Sequence, residues 1–378
     1  MRRRTVLVLG AGSGGLVAAR RLRRRLPATD RVVLVDRATH HLFQPSLLWL
    51  LTGDRTPSQI TRPLRRVTRL GIELVTGTVA ALDVARRTVR VGDQVLEGDA
   101  LIVALGAQLA AETVPGLAEA GHNLYTLDGA TAARDALTRV RGGRVVVLTS
   151  APLYKCPAAP YEAAMLVRAT VPRAVEVRMI AAEPGPMGTA GPEVSAAVRA
   201  MVEETGVMYQ PSRQISTVDS AGRTLQFADG STESFDILLY VPPHRAPGVL
   251  VEAGLTGSSG WIEADPHTLT TAHPGVYAVG DATMLPLPSG KVLPKAGVFA
   301  HAQAKVVADN LAAEWTGRES TARFLGTGAC FLETGHGRAG LGSGDFYAHP
   351  VPRMRLHAPT RWWHWGKVVF EKWWLARV

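Results

Sequence analysis

Thr5-Val6-Leu7-Val8-Leu9-Gly10-Ala11-Gly12-Ser13-Gly14-Gly15 decides the fold of this chain. The apolar, β-branched run reads as a buried strand, and it stops at a glycine-rich turn. Gly10, Gly12 and Gly15 form G-x-G-x-x-G. Gly10 permits the tight turn, Gly12 lets the backbone approach a pyrophosphate, and Gly15 allows close packing of helix on strand. The amides at the start of the next helix then meet the phosphate charge. Residues 16–26 have helical composition and 31–35 read as a second buried strand, closed by Asp36. Asp36 lies 21 positions after Gly15, where an acid binds ribose hydroxyls. Strand, glycine turn, helix, strand and acid occur in the order of a dinucleotide-binding β-α-β unit.

Working outward, residues 56–70 read as a basic amphipathic helix, followed by short antiparallel strands at 72–76, 79–83, 88–91 and 94–97. An apolar strand at 100–105 stops at Gly106. A second α/β unit follows: strand 144–149, helix 158–169, strand 175–181, helix 192–204, and short strands at 214–219, 224–227 and 235–240. Residues 273–282 read as a strand ending in Gly280-Asp281, and 296–314 as a long helix rich in Ala and Val. After Phe324 comes a Gly-rich segment, then a basic tail holding five of the eight tryptophans. The expected fold class is α/β, with two Rossmann-like units and a C-terminal membrane-associating segment. The expected division is 1–107 with 265–320 as the dinucleotide domain, 108–264 as the second Rossmann-like domain, and 321–378 as the C-terminal region.

With 378 residues, 46% of them hydrophobic and 20% charged, the chain has ample core and is not a disordered protein. Lys+Arg minus Asp+Glu is 42 − 32 = +10, a balance that suits nucleic acid, an anionic membrane or a polyanionic cofactor. No nucleic-acid motif occurs, and the basic residues gather near the first helix and the tail. Two cysteines exclude a disulfide scaffold. No stretch reaches the length of a spanning helix. The Arg-rich start leads straight into the first strand, so the expectation is a cytoplasmic chain without a signal peptide.

The second unit departs from the first where a second nucleotide would sit. Strand 144–149 is followed by Ser150-Ala151-Pro152-Leu153-Tyr154-Lys155-Cys156-Pro157, and no glycine stands between Gly143 and Gly185. Side chains then fill the space a second pyrophosphate needs, which argues against NADH. A cysteine stands there instead. Pro157 as first helical residue puts Cys156 near the N-cap, where amides, dipole and Lys155 favour thiolate. The other cysteine, Cys330, is 174 positions away; the two are read as a redox pair.

Two further segments carry a resemblance. Gly280-Asp281 resembles the second flavin-binding motif of two-dinucleotide-binding-domain flavoproteins, whose Asp binds the ribitol chain of FAD. Ala104-Leu105-Gly106-Ala107 resembles their Ala-Thr-Gly segment, with Leu for Thr. More specifically, the chain resembles sulfide:quinone oxidoreductases and the related flavoprotein subunit of flavocytochrome c sulfide dehydrogenase. The matching segments are His40-His41-Leu42-Phe43-Gln44-Pro45, Lys155-Cys156-Pro157 with Glu162 six residues on, Pro294-Lys295-Ala296-Gly297 and Gly328-Ala329-Cys330.

The resemblance implies FAD, held by Gly10, Gly12, Gly15, Asp36, Gly106, Gly280, Asp281 and Lys295. It is non-covalent because the first half lacks the third cysteine that some members link to flavin. It implies that sulfide attacks a Cys156–Cys330 bridge, leaving a persulfide and a thiolate. Electrons then reach quinone through FAD, and sulfane sulfur leaves as polysulfide. Glu162 is the candidate proton donor or acceptor, and Lys295 would stabilise negative charge on the reduced flavin.

In the tail, Trp362, Trp365, Val369, Phe370 and Trp373 share one helical side, with Arg361, His364, Lys367, Glu371 and Lys372 opposite. From Pro350 onward six Lys/Arg face one Glu. That pattern predicts an interfacial helix, separable from the flavin core, that brings the enzyme to quinone as a peripheral protein on the cytoplasmic side. Expected partners are sulfide, quinone and a membrane surface, without nucleic acid; a homo-oligomer is left open. The rival readings are a type II NADH:quinone dehydrogenase-like flavoprotein and a sulfide dehydrogenase subunit donating to a cytochrome.

Overall fold

The computed structural model describes residues 3–378. Its centre is a parallel five-stranded sheet in the order Val276–Ala278, Ala100–Val103, Thr5–Leu9, Arg31–Asp36, Glu73–Thr76. The strands are apolar because both faces are covered. One face packs on the helices Ser13–Arg25 and Gly297–Trp315, and the other packs on the small antiparallel sheet Val79–Asp83, Thr88–Val91, Gln94–Glu97.

A second parallel five-stranded sheet repeats the plan: His122–Asn123, Ile237–Val241, Gly143–Thr149, Val175–Ile180, Met208–Gln210. It too carries a three-stranded antiparallel sheet, Ile215–Asp219, Thr224–Phe227, Thr232–Ser234. These are the two Rossmann-like units of the expected α/β fold.

The Gly-rich segment after Phe324 is not a loop. It forms an antiparallel sheet of Thr327–Gly335, Arg338–Asp345 and Arg353–Thr360, followed by the tail helix Arg361–Leu375. Its glycines permit close approach: a Cβ on Gly328 would stand 2.6 Å from Phe299 of the long helix, and one on Gly344 would stand 2.3 Å from the Arg353 carbonyl oxygen.

Residues 56–70 are not one helix. A single turn at Pro57–Ile60 gives way to the strand Thr61–Pro63, which pairs with His40–Leu42, and then to a 3-10 stretch at Leu64–Leu70. Pro63 cannot supply the helical N–H, and it biases Arg62 toward extended backbone. No helix among the described residues is long and apolar enough to cross a membrane.

Candidate active site

The glycine loop is shaped for a dinucleotide. Gly10 has φ +98, and a Cβ there would stand 2.4 Å from the Ala104 carbonyl oxygen. A Cβ on Gly15 would lie 1.7 Å from the Gly10 carbonyl oxygen, so helix and strand meet only because it is glycine. At Gly12 nothing lies within 4 Å, which leaves the space a pyrophosphate needs. Asp36 accepts N–H from Ala11 at 2.5 Å and from Ala38 at 2.7 Å, fixing it beside the loop with its side chain part-exposed. Gly106, at φ +70, also faces open space.

Across the loop, Gly280 (φ +72) donates to Gln303 Oε1. The neighbouring Asp281 is buried, and its Oδ1 has no hydrogen-bond partner. Burial holds this carboxyl above the ordinary range, against the pull of Lys155 and Lys295. A buried carboxylate oxygen without a donor demands one from outside the chain. A polyhydroxylated flavin side chain supplies such donors, so these residues fit FAD.

Lys295 is buried and differs in aim from the sequence expectation. Its Nζ donates to the carbonyls of Asp281 (2.9 Å) and Thr283 (2.8 Å) and lies 3.4 Å from the Trp261 ring centroid. Burial pulls its pKa down to about 8. Its first visible role is to pin the Asp281 segment. Its own carbonyl accepts the Cys156 N–H at 2.6 Å, which ties the cysteine loop to the nucleotide site.

Cys156 is not an N-cap. The helix runs Ala159–Thr170 with Ala158 at the cap, and Cys156 takes φ +51, with its carbonyl accepting from Ala159 N–H. A non-glycine residue there is strained backbone at a site of interest. Tyr125 hydroxyl donates to the carbonyls of Lys155 (2.7 Å) and Cys156 (3.2 Å), bracing the turn. Nor is the thiol primed as thiolate: burial pushes it far up, and Cys330 and Glu162 push the same way. Burial, then Glu162, also raise Cys330, to about 11. Both cysteines are free thiols.

Cys330 lies on the strand Thr327–Gly335, opposite Gly342. Glu162, buried on the Ala159–Thr170 helix, holds this strand by accepting the Glu333 N–H at 2.9 Å. It also takes Lys367 Nζ at 3.0 Å. Lys367 is the one group shown lowering both cysteines. Burial depresses its ammonium, but Glu162 and Glu333 outweigh burial and hold it above the ordinary value.

The tail helix therefore turns its polar stripe inward, opposite to the sequence expectation. His364, Lys367, Glu371 and Trp374 face the protein; Glu371 is wholly buried between Ser46 (2.6 Å) and Arg55. Trp374 Nε1 donates to His41 Nε2 at 2.9 Å, while His41 Nδ1 meets the Ala11 carbonyl at 3.0 Å. The tail thus reaches the glycine loop and is not separable from it. Trp362 (83% exposed), Trp365, Val369 and Trp373 form the outward stripe.

Residues that sequence reasoning missed are Lys367, Glu333, Tyr125 and Glu183. Glu183, just past the strand Val175–Ile180, accepts hydroxyl hydrogen bonds from Thr149 (2.7 Å), Tyr161 (2.6 Å) and Tyr154. An acid beyond a second Rossmann strand was the available signal, since it repeats the position of Asp36.

The family model for pyridine nucleotide-disulphide oxidoreductases matches residues 4–304. The mitochondrial sulfide:quinone oxidoreductase of Mus musculus is 26% identical over 370 residues, 92% of this chain and 79% of the relative. A type II NADH:quinone oxidoreductase, NdhA of Mycobacterium tuberculosis, is 27% identical over 318 residues, 75% of this chain and 67% of the relative. The X-ray structure of the sulfide:quinone oxidoreductase from Aquifex aeolicus superposes with a TM-score of 0.89 at 21% identity, over 99% of this chain and 91% of that one. That likeness establishes a shared fold. With a glycine loop, an unsatisfied Asp281 and a family match over most of its length, the chain belongs to the pyridine nucleotide-disulphide oxidoreductases and is an FAD-binding oxidoreductase similar to sulfide:quinone oxidoreductases.

Proposed function

We propose that this flavoprotein oxidises sulfide to sulfane sulfur through Cys156 and Cys330 and delivers the electrons to quinone. One observation carries the reading. The only two cysteines, 174 positions apart, sit on two elements joined through Glu162, and Cys156 is bonded to Lys295 beside the nucleotide site. Bound FAD would accept an electron pair on one side and release it to quinone.

The chain's residues do the rest. Hydrosulfide attacks one sulfur of a Cys156–Cys330 disulfide; the old S–S bond breaks, a new one forms to the substrate, and the other cysteine leaves as thiolate. That thiolate is disfavoured by burial, so Lys367 supplies the compensating charge. Glu162 receives the proton that the persulfide sheds. Lys295 keeps Asp281 and the start of the Gly297–Trp315 helix in place.

The NADH reading loses support in the second unit. Glu183, where a ribose-binding acid would stand, is already satisfied by three hydroxyls of the chain. Anaerobic sulfide should bleach the flavin band and NADH at micromolar concentration should not; the reverse result overturns the proposal.

The outward tryptophan stripe supports attachment to a membrane surface on the cytoplasmic side, where a lipid-soluble quinone is reached. Co-sedimentation with vesicles containing anionic lipid should fall for Trp362→Ser with Trp365→Ser. Unchanged co-sedimentation sinks this part.

A further inference from the structure

Four buried or half-buried titratable groups run in a row from the cysteines to open water. Glu162 Oε1 is 3.0 Å from Lys367 Nζ, Lys367 Nζ is 3.9 Å from Glu333 Oε1, and the Glu333 oxygens are 3.1 and 3.0 Å from His364 Nδ1. Glu162, Lys367 and Glu333 are almost fully shielded, and His364 is a quarter exposed. His364 and Glu333 line a cavity of about 590 Å³ between the tail helix, the Ala159–Thr170 helix and the turn at 335–337. Apolar residues of similar volume could dock the tail at no loss of stability, so a buried ionic row is poorly explained as glue alone.

Resting on the sulfide reading above, we propose that Glu333 and His364 are the outer half of a proton path that carries one proton per sulfide from Glu162 to the cavity. The balance requires one. Hydrosulfide becomes sulfane sulfur, two electrons and one proton; the electrons go to FAD and on to quinone, and the proton is left in a site that burial keeps dry. Lys367, already charged, passes a proton to Glu333 and takes its replacement from Glu162. Glu333 hands its proton to His364, and His364 releases it to water. The row is charge-conserving at each hop, so no further ion is buried.

The groups facing His364 set the pH at which it works. Glu333 meets it from the cysteine strand and the Trp49 ring from the helix Leu47–Leu51, at 5.7 Å. Asp54, Arg55, His336 and Lys372 share the cavity wall. None of these four is in the row.

Stopped-flow measurements on the FAD-loaded enzyme test the path, with a pH-indicator dye reporting proton release alongside the flavin band. In the native enzyme release should keep step with flavin reduction by sulfide. In Glu333→Gln and His364→Gln, which keep hydrogen bonds but cannot titrate in this range, reduction should slow at least about tenfold and proton release should lag. In His364→Ala, imidazole entering the cavity should restore rate and release together. His336→Asn, on the cavity wall outside the row, should behave as native. Native rates with synchronous release in both Gln variants overturn the path while leaving the sulfide reading intact. No reduction of the native enzyme by sulfide overturns the reading beneath it.

Discussion

The two Rossmann-like units share a strand order and differ at one place, the turn after the central strand. In the first, Gly12 leaves open space and Asp36, held by two backbone amides, keeps a part-exposed carboxylate for a ligand's hydroxyls. In the second, the glycines are replaced by a segment running through Tyr154 to Cys156, and Tyr154 and Tyr161 place their own hydroxyls on Glu183. The acid persists in both; what changes is who satisfies it. A nucleotide site can be retired by filling it with the chain's own donors, and the vacated turn is then free to present a cysteine.

The comparison makes the two units fail in opposite ways. Cys156→Ser should keep the FAD absorbance and lose sulfide-driven flavin reduction by about a thousandfold or more, and Cys330→Ser should do the same. The double variant should be little worse, as expected when two groups act as one. Gly12→Val should do the reverse, weakening FAD by about a hundredfold in equilibrium dialysis while leaving the thiols in place. Reduction at native rate in either serine variant would remove the chemistry from the second unit.

A smaller effect probes the plug itself. Tyr161→Phe removes one of three donors from a buried carboxylate and should destabilise the protein by about 1–3 kcal/mol in urea unfolding. It should bring no NADH-dependent bleaching, because Tyr154 still occupies the turn. Gained NADH activity would mean that a tyrosine hydroxyl alone, and not the missing glycines, closes the site.

The first unit was legible because each of its features has a local cause: glycine where a Cβ collides, an acid at a strand end, an apolar run where both faces are covered. Both cysteines and Glu162 were legible as residue types beside a missing motif. The tail was legible only as a period. Spacing tells which of Trp362, Trp365, Val369 and Trp373 share a face, but not which face is inward when the other holds Lys367 and Glu371. Their partners, Glu162, Ser46 and Arg55, are more than 200 positions away and leave no mark on the helix. Cys156 was misplaced by two residues because Pro160, not Pro157, begins the helix. The thiolate expectation failed with it, since burial outweighs a dipole the cysteine does not cap.

The Trp374–His41–Ala11 contact makes the flavin and the tail's docking surface ligands of one another's equilibrium. A nucleotide that favours the closed glycine loop favours the docked helix, and whatever grips the docked helix from outside tightens the nucleotide by the same factor. Loss of cofactor should therefore loosen the tail, and stripping the tail from its surroundings should shed cofactor, with neither event needing to touch the cysteines.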